Sequence, residues 1–264
     1  MSKEKTLWFL FGLQILLTTS SVVGVFQDDT FNFIVTYFPL VLLILHACWT
    51  LTVWRGFIFI VLAGLVGWAA EAISLHSGTL FGGEYIYPAQ PSLFGVPFTI
   101  ITYWAVFIYM GYWLVSSFLA WLGKTKPNYK QASLMHIGLL VLGDGLAVTA
   151  IDLFMDPLSA RAESWTWLEG GPYFGVPTGN FIGWFMVTVL VTGLFRLFEY
   201  YKPQKDPQVN KSIFLLPVLG YLLAGVNFLV SAIAYRMFLL ATIGTLLVIA
   251  PAVVNLFLYW RKSR

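Results

Sequence analysis

The chain has 264 residues, of which 59% are hydrophobic and only 10% charged, and its mean hydropathy is +0.80. Water-facing domains carry about 25% charged residues, so a soluble enzyme, a disordered tail and a disulfide-stapled scaffold are excluded, the last also because Cys48 is the only cysteine. Fifteen basic and twelve acidic residues give a net charge of +3, but no basic patch of the kind nucleic acid requires stands outside the apolar runs.

A bilayer core is crossed by about 20 apolar residues in a helix. In chain order, eight stretches qualify: Leu7–Phe26, Phe31–Val53, Phe57–Leu75, Phe98–Leu122, Ser133–Met155, Asn180–Phe198, Ile213–Tyr235 and Phe238–Trp260. The first follows Lys3 and Lys5 but is too long for a signal core of about 7–15 residues, so it is read as a retained helix. The expected fold is all-α, a single integral membrane domain over residues 1–264. Cytoplasmic loops collect Lys and Arg. With the N-terminus inside, thirteen basic residues fall inside (Lys3, Lys5, Arg55, Lys124, Lys126, Lys130, Arg196, Lys202, Lys205, Lys211, Arg261, Lys262, Arg264), and two, Arg161 and Arg236, fall outside. Eight spans with both termini cytoplasmic is the economical reading, the second and third being joined by little more than Trp54-Arg55-Gly56.

Two connections stand apart, His76–Pro97 and Asp156–Gly179, each more than 20 residues long and rich in Tyr, Trp, Phe and Gly. Loops of that length are usually functional or disordered, and their aromatic content argues against disorder. They also repeat. Phe94-Gly95-Val96-Pro97 returns 80 residues later as Phe174-Gly175-Val176-Pro177, and a Trp follows seven residues after each Pro, Trp104 and Trp184. Gly82-Gly83 and Tyr85 pair loosely with Gly170-Gly171 and Tyr173, and an acid precedes each motif: Glu71 by 24 residues before Gly95, Asp152 by 23 before Gly175. The repeat units run over about residues 57–122 and 133–198. Duplicated units place sites at their mutual interface in several transporter folds.

Three carboxyls lie inside apolar runs: Glu71, Asp144 and Asp152. Each costs about 2.5–3.5 kcal/mol at depth, and none has an evident basic partner within its own span. Such a group is expected to sit as the neutral acid, the form that general-acid catalysis uses. Glu71, Asp152 and Asn180 are expected at one level, beneath the two aromatic loops, with Asp156-Pro157 marking the end of the fifth helix. Asp144, between Gly143 and Gly145 at mid-depth, is open to either a structural or a functional reading. Asp152 and Asp156 are i,i+4 neighbours on one helical face and could bind a divalent cation. His46, His76 and His136 show no metal-ligand spacing, so no metal site is expected from them, and no phosphate loop, CxxC or GxSxG elbow is present.

The run from Glu71-Ala72-Ile73 to Gly78, Phe81-Gly82-Gly83-Glu84-Tyr85-Ile86-Tyr87 and Gly95-Val96-Pro97 resembles the carotenoid biosynthesis membrane proteins of the bisanhydrobacterioruberin hydratase type. Ala150-Ile151-Asp152-Leu153-Phe154-Met155-Asp156-Pro157, Trp165-Thr166-Trp167, Gly170 to Pro177, Asn180, Gly183 and Trp184 resemble the same family more specifically. The resemblance covers about residues 60–200 and departs from the family's FG-x-Y-x-Y pattern by one inserted residue at Glu84. It implies hydration of the terminal isoprenoid double bond of an acyclic carotenoid to a tertiary alcohol. It also implies the cytoplasmic membrane of a prokaryote as location, with other carotenoid pathway enzymes as partners.

That chemistry assigns roles. Asp152 or Glu71 would protonate carbon. Trp165, Trp167, Tyr173 and Trp184 would stabilise the cation through their faces, by about 2 kcal/mol each when desolvated. Asn180, with Tyr85 or Tyr87, would hold the water. No cofactor is required. Two other readings stay open: a prenyltransferase or elongase using Asp152 and Asp156 with magnesium on a diphosphate, and a carotenoid binder or transporter whose intramembrane carboxyls relay protons.

Overall fold

A computed structural model describes residues 2–24, 28–122, 133–204 and 211–263. In a bilayer every backbone polar group must be satisfied within the protein, which leaves helices for these apolar runs. The helices are α1 (Lys3–Val22), α2 (Asp29–Thr50), α3 (Val53–Ser77), α4 (Phe98–Trp121), α5 (Leu134–Arg161), α6 (Thr178–Tyr201) and α7 (Leu216–Ala234). The last span starts as α8 (Phe238–Gly244), passes through a π turn at Thr245–Ile249 and ends as α9 (Ala250–Ser263). Seven of these spans, from α2 onward, are long and apolar enough to cross a membrane; α1 is a 20-residue helix that packs on α2. The described residues form a mainly helical membrane protein.

Local chemistry sets the helix starts. Ser2, Asp28 and Ser133 accept the backbone N–H three residues on, from Lys5, Phe31 and His136. α4 and α6 begin directly after Pro97 and Pro177, whose φ of −61° and −63° is fixed by the ring. Gly78, at φ +65°, closes α3 by donating to Ser74 O.

Three expectations are corrected. α5 does not stop at Met155: it carries Pro157 inside its last turns and continues to Arg161, a position tolerated in membrane helices because neighbouring groups can satisfy the freed carbonyl. The link between α2 and α3 is only Leu51-Thr52, with Trp54-Arg55-Gly56 already helical. Arg196, counted with the cytoplasmic charges, is fully buried in α6 and ion-paired to Asp144. Asp144 therefore has the basic partner that it lacked along its own span. Lys124, Lys126, Lys130, Lys205 and Arg264 from that count, and Phe26 from the first predicted span, lie outside the described residues.

The most closely packed helix pairs are α5–α6 and α3–α4, the two proposed repeat units, and α4 is the most buried span. Small residues permit the approach, as is usual in membranes. A Cβ on Gly67 would stand 2.2 Å from the Trp104 ring, and one on Gly183 2.2 Å from that of Phe81. Outside, Phe9, Leu16, Val53, Met135, Leu146 and Phe238 are exposed, whereas Glu71, Asp144, Asp152, Asp156, Asn180 and Arg196 are buried. Apolar outside and polar within is the arrangement a bilayer selects.

Candidate functional site

The two aromatic loops meet over one end of the bundle. Strand β1 (Tyr85–Ile86) of the first pairs antiparallel with β4 (Thr166–Trp167) of the second, Tyr85 opposite Trp167. Strands β2 (Ser92–Leu93) and β3 (Val96–Pro97) form a hairpin in the first loop. Its turn has Phe94 at φ 53° and Gly95 at 79°; in the second loop Phe174 and Gly175 stand at 50° and 89° and are flanked by the Tyr173–Val176 bridge. The recurring Phe-Gly-Val-Pro motif is thus one turn used twice, with two successive positive φ values as in a type I′ turn. By this register the counterpart of Tyr173 is Leu93, not Tyr85, so the loose Gly-Tyr pairing is withdrawn. The second recurring element, the Trp seven residues on, meets its twin: Trp104 and Trp184 stack with centroids 3.8 Å apart at 18°.

Glu71 projects from α3 beneath this lid and is 3% exposed. Its Oε2 accepts the hydroxyls of Tyr85 at 2.6 Å and Tyr87 at 3.0 Å, and its Oε1 accepts Trp104 Nε1 at 3.1 Å. Phe81 is held over the same spot by its N–H, which donates to Ser74 Oγ at 3.2 Å, and by its ring, stacked on Trp104. Burial and then the Glu71 charge push the Tyr85 and Tyr87 phenols well above their ordinary range, so both remain donors. Tyr173 is raised likewise, by burial and then by Asp152.

Across from Glu71, on α5, stand Asp152 and Asp156, 0% and 2% exposed. A single amide bridges them: Asn180 Nδ2 donates to Asp152 Oδ2 at 2.7 Å and to Asp156 Oδ2 at 2.5 Å. Asp156 Oδ1 also accepts Trp165 Nε1. Asp152 Oδ1 is buried with no hydrogen-bond partner, and Trp167 Nε1 lies beside Asp156 without closing one. Buried polar atoms are rarely left unmatched, so an orphaned carboxyl oxygen in a cavity marks a place for a ligand.

The cavity encloses about 20 Å³ and is lined by Glu71, Tyr85, Tyr87, Asp152, Asp156, Asn180, Trp165, Trp167 and Trp184, together with Ile100, Tyr103 and Met155. A volume of about 10–15 Å³ holds one water. Eight of the nine residues assigned catalytic or binding roles from sequence converge here, as does Asp156; Tyr173 does not line the cavity but packs on Phe174 and Phe181. Asp144 is elsewhere, locked to Arg196 through both carboxylate oxygens at 2.6 and 2.7 Å, which favours its structural reading. Tyr103 and Met155 had no signal in sequence beyond ordinary apolar packing. Trp104 was noted only for its place in the repeat, and its bond to Glu71 spans 33 residues.

As a magnesium site the acidic pair fits poorly. The space between Asp152 and Asp156 is filled by an amide N–H donor, and among the described residues no three His, Cys, Asp or Glu side chains form a metal-holding group.

Comparison with known proteins gives one match. Residues 31–251 fit the family model described as carotenoid biosynthesis protein. No curated protein and no solved structure matches the chain.

Proposed function

Because the chain belongs to the carotenoid biosynthesis protein family, we propose that it is a hydratase adding water to the terminal isoprenoid double bond of an acyclic carotenoid. Membership gives the broader part, a membrane protein of carotenoid biosynthesis that meets a carotenoid or isoprenoid in the bilayer. The hydratase reading rests on one observation: three buried carboxyls surround a cavity of about one water, and one carboxyl oxygen, Asp152 Oδ1, is unmatched.

The reaction joins an alkene and water with no change in net oxidation state. Asp152 transfers its proton to the less substituted alkene carbon, leaving a tertiary cation on the carbon that bears two methyl groups. A water in the cavity forms the new C–O bond through its oxygen and gives up one proton to a neighbouring carboxylate, which restores the acid–base pair. Asp152 and Asp156 share one amide donor and no cation, so keeping both ionised in a buried site would be costly, and the pair retains a proton. Glu71 receives three donors and offers none, so its oxygens face the cavity side as acceptors. The face of Trp184 and the Tyr103 ring border the same space and add cation–π attraction, by about 2 kcal/mol when desolvated. Asn180 holds the two aspartates in register. Trp165 and Trp167 hold Asp156 and the loop ladder.

This reading takes the loop end as the extracytoplasmic side, with both termini in the cytoplasm of a prokaryotic cell. With Arg196 removed, the sequence distribution of basic residues is still twelve (thirteen less one) against two, which supports that orientation.

Co-expression with enzymes that make an acyclic carotene tests the reaction. Extracted pigment heavier by one water supports the hydratase. A gain of isoprene units would point to the elongase, and unchanged pigment to a binder or transporter.

A further inference from the structure

The acid cavity is too small for its substrate. About 20 Å³ takes one water but not the branched end of an isoprenoid, so the hydrocarbon must be held elsewhere and reach the acids through a movable wall. A second, larger space abuts that wall. An apolar groove of about 240 Å³ runs between α1, α2, α4, α5 and α7. A dry apolar cavity of about 150 Å³ already binds benzene, so the groove has room for a terminal section of chain. Two side chains line both spaces, Tyr103 from α4 and Met155 from α5. They are the partition between an apolar trough and a wet acidic pocket. Met155 is unbranched and readily changes rotamer, and Tyr103 is only partly buried and faces its neighbour Phe107 at 5.6 Å.

We propose that this groove binds the hydrocarbon chain of an acyclic polyisoprenoid, with Tyr103 and Met155 as the gate through which its terminal double bond enters the acid cavity. The proposal rests on the hydratase reading for the identity of the reacting end, but the groove's occupant is argued separately. Its walls are mainly aliphatic and aromatic, Leu42, Leu43, Val106, Met110, Leu223 and Phe228 among them; Gln14, Thr18, Thr36, His46, Ser159 and Asn227 add polar atoms, but no Lys, Arg, Asp or Glu lines it to hold a charged headgroup. It meets the acid cavity at the wall that Tyr103 and Met155 share. The end group on one side and the chain on the other is the division that a long apolar molecule with one reacting end requires.

Groove-filling substitutions on opposite walls, Ala224→Phe on α7 and Thr36→Phe on α2, are compared with the unaltered protein in nanodiscs loaded with lycopene, an acyclic carotene. Lycopene retained after washing is expected to fall at least fivefold in each variant whose thermal unfolding is unchanged; undiminished retention would overturn the proposal. As a check that does not depend on bulky side chains, Ala224→Cys in a Cys48→Ser background is alkylated with N-ethylmaleimide. Lycopene is expected to slow this reaction at least fivefold, and an unchanged rate would overturn the groove assignment. Hydrated product is scored in the same samples. Lycopene binding without any hydrated product sinks the hydratase reading alone, whereas hydration that persists with the groove filled and empty of lycopene sinks the groove.

Discussion

Two buried polar clusters share helix α5, and they are built on opposite principles. Asp144 lies eight residues before Asp152, about 12 Å along the helix. It gives both oxygens to the Arg196 guanidinium, which also donates to Ser116 Oγ at 3.0 Å and sits 4.2 Å from the Tyr112 ring centroid. Nearby, Tyr112 donates to Glu199 Oε2 at 2.7 Å. The cluster around Asp152 holds three carboxyls with no guanidinium or ammonium bonded to them among the described residues, an orphaned oxygen and a water-sized cavity. A charge-compensated, filled cluster fixes helices. An uncompensated one around a water-sized cavity costs stability, and a reaction that uses it would account for that cost.

That contrast can be broken in order of expected effect. Asp152→Asn keeps shape and hydrogen bonding but removes the transferable proton, so product formation is expected to fall at least 100-fold with the protein still folded in membranes; liquid chromatography with mass detection on extracted pigment measures it. Arg196→Met leaves Asp144 buried and unpaired, a change that costs about 3–5 kcal/mol in other proteins. Its signature is thermal unfolding and loss of folded yield, with pairing by Asp144→Leu expected to recover most of the loss. Recovery of stability without that second change would blur the distinction between the clusters. Tyr85→Phe and Tyr87→Phe each delete one donor to the Glu71 carboxylate, worth about 1.5–3 kcal/mol for a charged acceptor. Turnover should fall about ten- to a hundredfold, and the unfolding temperature should fall as well, because the bond is already made in the resting protein. The smallest effect is expected from Gly183→Ala: a methyl 2.2 Å from the Phe81 ring must displace it, costing about 1–3 kcal/mol, read as a lowered unfolding temperature.

The legibility of these features in sequence follows from how local each one is. The long helices lie close to the apolar runs, because bilayer thickness and backbone satisfaction depend on short windows only. The Phe-Gly-Val-Pro turns were readable for the same reason, since Gly and Pro act on their own φ angles. Glu71, Asp152 and Asn180 could be put at one level from helix direction alone. What stayed hidden was contact at long range. Arg196 and Asp144 are 52 residues apart, and an arginine near the end of an apolar run looks the same whether it snorkels to water or turns inward. Tyr103 and Met155 carry no polar signature, and only the cavities on either side give them meaning. The sharing of Asn180 between two aspartates likewise depends on the packing of α5 against α6.

The central claim is that carbon is protonated at the Asp152 cluster. Incubating the purified protein with lycopene in deuterium oxide tests it directly, because a proton delivered to carbon does not exchange out again. The account predicts a tertiary alcohol carrying one deuterium on the carbon next to the carbinol centre, formed by the unaltered protein and not by Asp152→Asn. An alcohol formed without carbon-bound deuterium, or formed at an equal rate by Asp152→Asn, would contradict it.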